Sequence, residues 1–262
     1  MKRWRYVLLV LCTAVISISG TYLMNYFMKS EENKQKYEDI SEIGFPETEA
    51  DHEEENDQQD VKQSEDDFDY QSLIAMNSDC VGWIQIPGTD INYPVVQAAD
   101  NEFYLTHNFN RETAACGAIF MDYRNDVDAK AEHLILYGHQ MKDNSMFKQL
   151  NGYKEEIFYK EHPNIKLYLH EQKYEYEITA VYVTDVANGG GYYNYLHWNT
   201  RKEQLNYLQQ KMAGYQLYDT GKKVMETDEM LSLSTCEYSS DNGRLIVQAR
   251  RKGEMTDGKQ II

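Results

Sequence analysis

The feature that most constrains the fold is a series of short apolar segments between residues 81 and 250. Each is rich in β-branched and aromatic residues and is bounded by turn-forming residues, which is typical of β-strands. Many short strands with few helices predict a mainly β fold, either a closed barrel or a sandwich. The predicted strands are 81–86, 91–96, 118–121, 132–138, 164–170, 173–185, 229–236 and 244–250.

Helical patterns are fewer and lie outside these segments. Apolar residues recur at helical spacing in 70–76, 145–150 and 154–162. The clearest pattern is 200–213, where Thr200 and Glu203 resemble a capping box. We therefore expect helices that decorate the β-structure, one of them in the long connection before the strand at 229–236.

The N-terminus carries an uncharged segment, residues 6–28, between Arg5 and Lys29. As a helix it would span roughly 35 Å, enough to cross the hydrocarbon core of a bilayer. Because basic residues precede it, we expect residues 1–5 to be cytoplasmic and the rest of the chain to be exported. A cleaved signal peptide is the alternative, but "SISG" is a poor cleavage site, so a retained anchor is favoured.

Acidic residues concentrate directly after this segment. Residues 31–69 hold 17 of the 43 acidic residues, so most of the net charge of −17 belongs to this tract. So polar a tract cannot bury enough apolar surface to fold. We expect a disordered linker over 29–68, followed by a folded domain over 69–262. No basic stripe is present, which argues against nucleic acid as a partner.

The four cysteines do not form a recognisable framework. Cys12 lies in the apolar N-terminal segment, and the other three, Cys80, Cys116 and Cys236, are far apart and odd in number. No CxxC pair, zinc-type Cys/His spacing or cluster of acidic ligands occurs, so we expect no metal and no cofactor. An exported protein with an unpaired cysteine raises the question of what that thiol does.

Cys236 ends a predicted strand, and Arg244 opens the next one. Alternation places Leu231, Leu233 and Thr235 on one face of the strand and Ser232, Ser234 and Cys236 on the other. Since the leucines should face the core, we expect Cys236 to face a cleft or solvent. The turn between the strands can bring Arg244 beside Cys236. A guanidinium there favours the thiolate, and it could equally bind an oxyanion.

A cysteine nucleophile needs a proton partner, most often histidine. His139 follows the apolar strand "LILYG", and strand ends commonly display catalytic groups. Taken singly, each histidine is more often structural than catalytic. The other six are His52, His107, His133, His162, His170 and His197.

Several stretches together resemble a class B sortase, a membrane-anchored cysteine transpeptidase of Gram-positive bacteria. They are "VGWIQIPGTDINYPVVQAADNEFYLTHNF", "GAIFMDYRN", "LILYGHQM", "LSLSTCEY" and "NGRLIV", in the family's order over roughly residues 70–250. The resemblance implies a closed sortase-type β-barrel of about eight strands. It also implies that Cys236 is the nucleophile, His139 the general acid/base and Arg244 the stabiliser of substrate and oxyanion.

The same resemblance implies a reaction and its partners. A sortase cleaves a C-terminal sorting motif of secreted proteins through a thioester. It then joins the protein to a peptidoglycan-precursor amine of the lipid II type, or to a pilin amine. The expected location is the cell membrane, with a single span and an extracellular catalytic domain.

Residues around the three catalytic candidates complete the expected site. Gln140 stands where the family usually has asparagine, and the glycine- and tyrosine-rich loop 183–198 is expected to form one wall of the substrate groove. Tyr123 and Arg124 are expected to be structural. The residues expected to bind substrate are Ser234, Thr235, Glu237, Gln140, Tyr192 and Tyr193.

Two other function classes remain open at this stage. One is another exported thiol hydrolase of the cell wall, although papain-like enzymes place cysteine at a helix N-terminus and before the histidine. The other is a membrane-tethered binding module with an inactive site, against which the complete set of cysteine, histidine and arginine argues.

Overall fold

The computed structural model describes residues 2–46, 68–127, 132–185, 212–237 and 242–252, with a few residues between and after these ranges. By its internal contacts the chain divides into two compact units, Met1–Asp39 and Ile40–Ile262. The first unit is helical, and the second contains the β-structure.

The N-terminal helix, α1, spans Lys2–Gly44. It begins with the apolar segment, whose side chains are exposed to the surroundings. Among the described residues it is the one helix long and apolar enough to cross a membrane, with a mean hydropathy of 2.1 over 18 residues. This helix is compatible with the expected membrane anchor.

Residues 29–44 are helical, so the expectation of a disordered linker from residue 29 is wrong for this part. Acidic and basic side chains alternate here at i,i+4 spacing, which stabilises a helix. Lys36 Nζ lies 2.9 Å from Glu32 Oε1, and Gln35 donates to Asp39 at 2.9 Å. The helix ends where Pro46 approaches, because a residue before proline is disfavoured in the α conformation. Residues 47–67 of the predicted linker lie outside the described residues.

Within the second unit, the end of α1 packs against the β-structure. Ile40 is buried, and the Phe45 ring meets the edges of Trp83 and Tyr168 at centroid distances of 5.5 and 5.3 Å. The Ser41 hydroxyl accepts a hydrogen bond from Asn92 at 3.1 Å. The compact unit therefore begins about thirty residues before the domain boundary expected at residue 69.

Eight strands follow one another where the apolar pattern predicts them. They are β1 (Cys80–Gln85), β2 (Asn92–Val96), β3 (Ile119–Met121), β4 (His133–Tyr137), β5 (Asn164–Leu169), β6 (Gln172–Asp185), β7 (Met230–Glu237) and β8 (Gly243–Arg251). They close into a barrel in the order β1-β2-β3-β4-β7-β8-β6-β5. The prediction of a closed β-barrel of about eight strands is therefore confirmed.

Two neighbouring pairs in the barrel are parallel, β2–β3 and β4–β7, and the other six are antiparallel. The parallel pair β4–β7 matters most for function, because the C-terminal ends of both strands reach the same rim. There Tyr137 of β4 lies opposite Ser234 of β7. The residues that follow each of these strand positions are thus brought close together.

Short helices accompany the barrel. The helix α2 (Tyr70–Met76) precedes β1, and a 3-10 helix (Phe147–Lys154) and α3 (Glu156–Glu161) lie between β4 and β5. The helix predicted at 200–213 lies largely outside the described residues. Its described residues 202, 203 and 206 are helical, and Met212–Tyr215 forms a 3-10 turn. After the barrel, the short strands β9 (Met255–Thr256) and β10 (Lys259–Gln260) pair with each other.

Both faces of β7 are buried over residues 230–235. Ser232 and Ser234 are as inaccessible as Leu231 and Leu233. The 3-10 helix Phe147–Lys154 packs near β7 and β8. Ser232 meets a polar partner there, because its Oγ lies 2.8 Å from Nε2 of the buried His133. Only the end of the strand, at Cys236, is half-buried and accessible.

Candidate active site

The β7–β8 hairpin fixes a thiol and a guanidinium side by side. In its antiparallel register Cys236 and Arg244 are direct partners. Residues opposite each other on antiparallel strands have Cβ atoms roughly 5 Å apart, so both side chains lie at the same end of the barrel. The sequence expectation that the turn brings Arg244 beside Cys236 agrees with this register.

His139 reaches the same place from β4. The chain leaves that strand at Gly138, whose N–H donates to the Ser234 carbonyl at 3.2 Å. Any side chain at Gly138 would collide, since a Cβ would lie 2.5 Å from Ile119 and 2.7 Å from Phe147. The absence of a side chain at Gly138 therefore allows close packing against Ile119 and Phe147. The next residue, His139, then lies beside the end of β7.

The imidazole of His139 has two polar neighbours. Its Nε2 lies 2.7 Å from the Leu105 carbonyl oxygen. A carbonyl oxygen only accepts, so Nε2 carries the proton in this bond. The second neighbour is the Cys236 thiol, whose interaction with the ring shifts the pKa of both groups.

These contacts bring the pKa values of thiol and imidazole toward each other. The hydrogen bond with His139 holds the pKa of Cys236 below its usual value, the positive charge of Arg244 acts in the same direction, and burial opposes both. The hydrogen bond with Cys236 raises the pKa of His139, and the bond to the Leu105 carbonyl adds to it. The arrangement therefore favours transfer of a proton from sulfur to nitrogen, which produces the nucleophilic thiolate.

The three groups line one cleft with a volume of about 430 Å³. Apolar side chains of Leu105, Phe120 and Tyr137 form part of its wall. A partly apolar cleft with a few convergent polar groups is typical of a site that binds a ligand. The polar and small residues that complete the lining are Asn101, Tyr123, Arg124, Gly138, His139, Ser234, Thr235, Cys236 and Arg244.

Two arginines line this cleft, but their charges differ in availability. Arg124 is bound by the fully buried carboxylate of Asp122, through Nε at 2.8 Å and Nη2 at 2.6 Å. Arg244 donates to the Gly243 carbonyl at 2.9 Å, and no carboxylate pairs with it within the described ranges. Arg244 is thus the cleft cation that remains able to bind a developing negative charge.

The Gln140 side chain contacts the main chain of β7. Its Nε2 donates to the main-chain carbonyl of Cys236 at 3.0 Å, and its Oε1 lies 3.5 Å from Lys148 Nζ. The side chain is therefore bound to the backbone of the strand that carries Cys236, and it is not among the residues that line the cleft. These two contacts use one N–H and one lone pair of the amide, so the expectation that Gln140 binds substrate stays a prediction.

Comparison with known proteins identifies the family of this site. A sortase domain model matches residues 84–252. Sortase B of Listeria monocytogenes is 38% identical over 180 residues, which cover 68% of this chain and 72% of that protein. Sortase B of Staphylococcus aureus is 30% identical over 261 residues, covering 95% and 97%. The chain belongs to the class B sortases.

Solved structures agree with the family assignment. Sortase B from B. anthracis in complex with AAEK1 aligns with a TM-score of 0.70 and 34% identity, covering 86% of this chain and 98% of that one. The Staphylococcus aureus sortase B-substrate complex aligns with a TM-score of 0.69 and 30% identity, covering 86% and 98%. The resemblance found in the sequence is thus confirmed, and this sortase is a cysteine transpeptidase that acts on proteins bearing a sorting signal.

Some of the site residues predicted from the sequence lie together in the sortase cleft, and others lie outside the described residues. Cys236, His139 and Arg244 meet, and Ser234 and Thr235 line the same cleft while being buried. Tyr192, Tyr193 and the side chain of Glu237 lie outside the described residues.

Sequence reasoning missed several residues of the sortase cleft. Tyr123 and Arg124, expected to be structural, line it, although Arg124 is also held by Asp122. Leu105 was not predicted, because its contribution is a main-chain carbonyl. In the sequence, the signal for the pairing of Arg124 was Asp122, an acidic residue two positions before it.

The thiol–imidazole bond of the sortase makes a prediction for alkylation. Iodoacetamide reacts with thiolates, so the alkylation rate at Cys236 should rise with pH as the thiol ionises. The rising part of this rate–pH curve, the alkylation limb, should have its midpoint below the pKa of an ordinary thiol, about 8.5. His139→Asn removes the largest cause of the lowered pKa, so its limb should move to higher pH. Mass mapping separates Cys236 from Cys80, where burial raises the pKa of the thiol to about 11. Identical limbs in the two proteins would contradict the bond.

Proposed function

We propose that Cys236 is the nucleophile of this sortase, His139 its general acid and base, and Arg244 the group that binds the oxyanion. The observation that carries the proposal is the convergence, in the lining of one cleft, of a thiol, an imidazole and a guanidinium with no carboxylate partner among the described residues. The lowered pKa of Cys236 and the raised pKa of His139 support the same assignment.

The proposed reaction has two acyl transfers. The Cys236 thiolate attacks the carbonyl carbon of a threonine in the sorting motif, and Arg244 binds the oxygen as it becomes negative. The tetrahedral intermediate collapses, the C–N bond breaks, and the protonated His139 gives its proton to the leaving amine. An acceptor amine then attacks the thioester and gives a proton to His139, and the Cys236 thiolate leaves.

Residues on the cleft wall are proposed to bind the sorting motif. Thr235 is buried, and its Oγ1 has no hydrogen-bond partner among the described residues. A buried hydroxyl without a partner costs free energy, which a substrate hydrogen bond would recover. Ser234 lines the same wall. Glu237, Tyr192 and Tyr193 are proposed to contribute from the neighbouring loops, as the sequence resemblance implies.

The acceptor and the cellular location follow from the same resemblance. We infer that the acceptor is a peptidoglycan-precursor amine of the lipid II type, with a pilin amine as the second candidate. The apolar start of α1, preceded by basic residues, supports a single span with a cytoplasmic N-terminus and an extracellular catalytic unit. A wall precursor carrying a free amine is available on that side in a Gram-positive cell.

A cleavage screen tests the proposed function. The full chain in detergent is incubated with a library of threonine-containing peptides, with and without a peptide that carries a free peptidoglycan-precursor amine. Mass spectrometry is expected to show a thioester on Cys236 and, with the amine, a ligated product in place of the hydrolysed one. A product distribution that ignores the amine would instead identify a thiol hydrolase, and failure of any peptide to acylate Cys236 would favour a binding module.

A further inference from the structure

The imidazole of His139 is oriented by a main-chain atom. Its Nε2 proton goes to the Leu105 carbonyl oxygen at 2.7 Å, and no carboxylate bonds the ring in the described part of the chain. In many catalytic sites a fixed acceptor on the far nitrogen sets the tautomer and the ring orientation. A carbonyl can do this only if the chain that carries it is held still.

Leu105 ends a single 3-10 turn, Phe103–Leu105, which is too short to be rigid by itself. The turn is fixed by the residue beside it, Tyr104, whose ring is buried. The Tyr104 hydroxyl donates to Asp79 Oδ2 at 2.7 Å and accepts from Asn77 Nδ2 at 2.9 Å. Burial raises the pKa of Tyr104 to about 12, so the hydroxyl keeps the proton that it donates.

The acceptor of that bond belongs to the barrel. Asp79 directly precedes β1, and its N–H donates to Asn77 Oδ1 at 3.0 Å. Its carboxylate is also held by Arg111, which forms an ion pair with the same oxygen. The Tyr104 hydroxyl is thus tied to the start of a barrel strand, which gives the turn a fixed point.

The other side of the turn is held by the chain that enters β3. Ala118 N–H donates to the Tyr104 carbonyl at 3.0 Å. Gly117 has φ +58°, and a Cβ there would lie 2.5 Å from the Tyr104 carbonyl oxygen and 3.1 Å from His139 Cδ2. Because only glycine tolerates this conformation and this approach, the main chain at Gly117 packs directly against both the turn and the imidazole.

We propose that Tyr104, through its hydrogen bond to Asp79, is a positioning residue for His139: it fixes the Leu105 carbonyl that orients the imidazole toward Cys236. This inference rests on the proposed role of His139 as general acid and base. Tyr104 does not line the cleft, so it acts through Leu105 and not through contact with substrate.

The effect of removing the Tyr104 hydroxyl follows from these contacts. When the turn shifts, the Leu105 carbonyl supports the imidazolium less well, so the pKa of His139 falls and that of Cys236 rises. A smaller fraction of the enzyme then carries the thiolate beside a correctly aimed imidazolium. The loss should appear in kcat, while KM changes little because the cleft wall keeps its side chains.

Tyr104→Phe is the test, measured with the full chain in detergent. We expect roughly a 10-fold lower kcat for cleavage of a sorting peptide and little change in KM, since small misplacements of catalytic groups cost rates of this order. The acid limb of Cys236 alkylation should move to higher pH. A loss of packing alone would leave that limb in place, because it would not touch the thiol–imidazole pair.

Tyr153→Phe is the matched control. Tyr153 is equally buried, and its hydroxyl donates to the His162 carbonyl at 2.7 Å, away from the cleft lining. This variant should keep the wild-type kcat and alkylation limb.

The outcomes separate the two proposals. A folded Tyr104→Phe enzyme with wild-type kcat and an unmoved limb would overturn the positioning role, whatever His139 does. If His139→Asn itself left turnover intact, the proposed function would fail first. A limb shift in Tyr104→Phe that Tyr153→Phe does not share supports the positioning role.

Discussion

Replacing Cys236 with alanine is expected to lower turnover of a sorting peptide by at least about 10⁴-fold, because no acyl-enzyme can form without the nucleophile. Binding of the peptide should persist, since the cleft wall retains its other side chains. The measurement is peptide cleavage followed by chromatography, with mass spectrometry of the intact enzyme to detect the thioester. The wild-type enzyme should show that adduct and the variant should not.

Cys80→Ala is the control for loss of a buried thiol. Cys80 is inaccessible, and burial raises its pKa to about 11, so it supplies no thiolate near neutral pH. We expect wild-type turnover with a stability loss of about 1 kcal/mol from the lost packing. Full activity in Cys236→Ala, or an equal loss in both variants, would refute the assignment of the nucleophile.

Arg244→Lys is expected to lower kcat by about 10²- to 10³-fold, the range found when one oxyanion donor is removed. Lysine keeps the positive charge but loses the planar fork of N–H donors. The alkylation limb of Cys236 should therefore stay close to that of the wild type, because the charge that lowers its pKa remains. Arg244→Gln removes the charge as well, so its limb should move to higher pH. Peptide kinetics and alkylation rates together separate donor geometry from charge.

Arg251→Lys is the matched control at the far end of the same strand. Arg251 pairs with Glu229 at 2.7 Å and lies over the Tyr174 ring at 4.2 Å. Neither partner lines the cleft, so kcat should stay unchanged while stability falls by at most about 1 kcal/mol. A wild-type kcat in Arg244→Lys would show that the guanidinium fork does not bind the oxyanion.

The barrel could be predicted from the sequence because its signal is local. Each strand carries its own apolar pattern and its own turn residues, so β1 or β7 can be placed without knowledge of its neighbours. The hairpin register that pairs Cys236 with Arg244 is similarly local, since a few residues separate the two strands. Long-range partners need the fold, and the sequence resemblance supplied that information for His139.

The features that sequence analysis missed depend on context or on main-chain atoms. Net charge suggested disorder at 29–44, but the helix depends on where each lysine stands relative to each glutamate, as Lys36 and Glu32 illustrate. Alternation separates the serines of β7 from its leucines, but it could not show that Ser232 meets the buried His133 of β4. The Leu105 carbonyl has no side-chain signature at all, so only coordinates could identify it.

The parallel pairing of β4 with β7 has a consequence for how such a scaffold can diversify. β4 and β7 each pair with a further strand of the barrel, and β6 and β7 both pair with β8. The alignment of thiol and imidazole is therefore set by strand pairing, and the span between Asp185 and Met230 connects two strands that β8 already holds in register. Doubling the length of such an excursion costs only about 0.6 kcal/mol in loop entropy. New specificity elements can be inserted there while the reaction centre keeps its geometry.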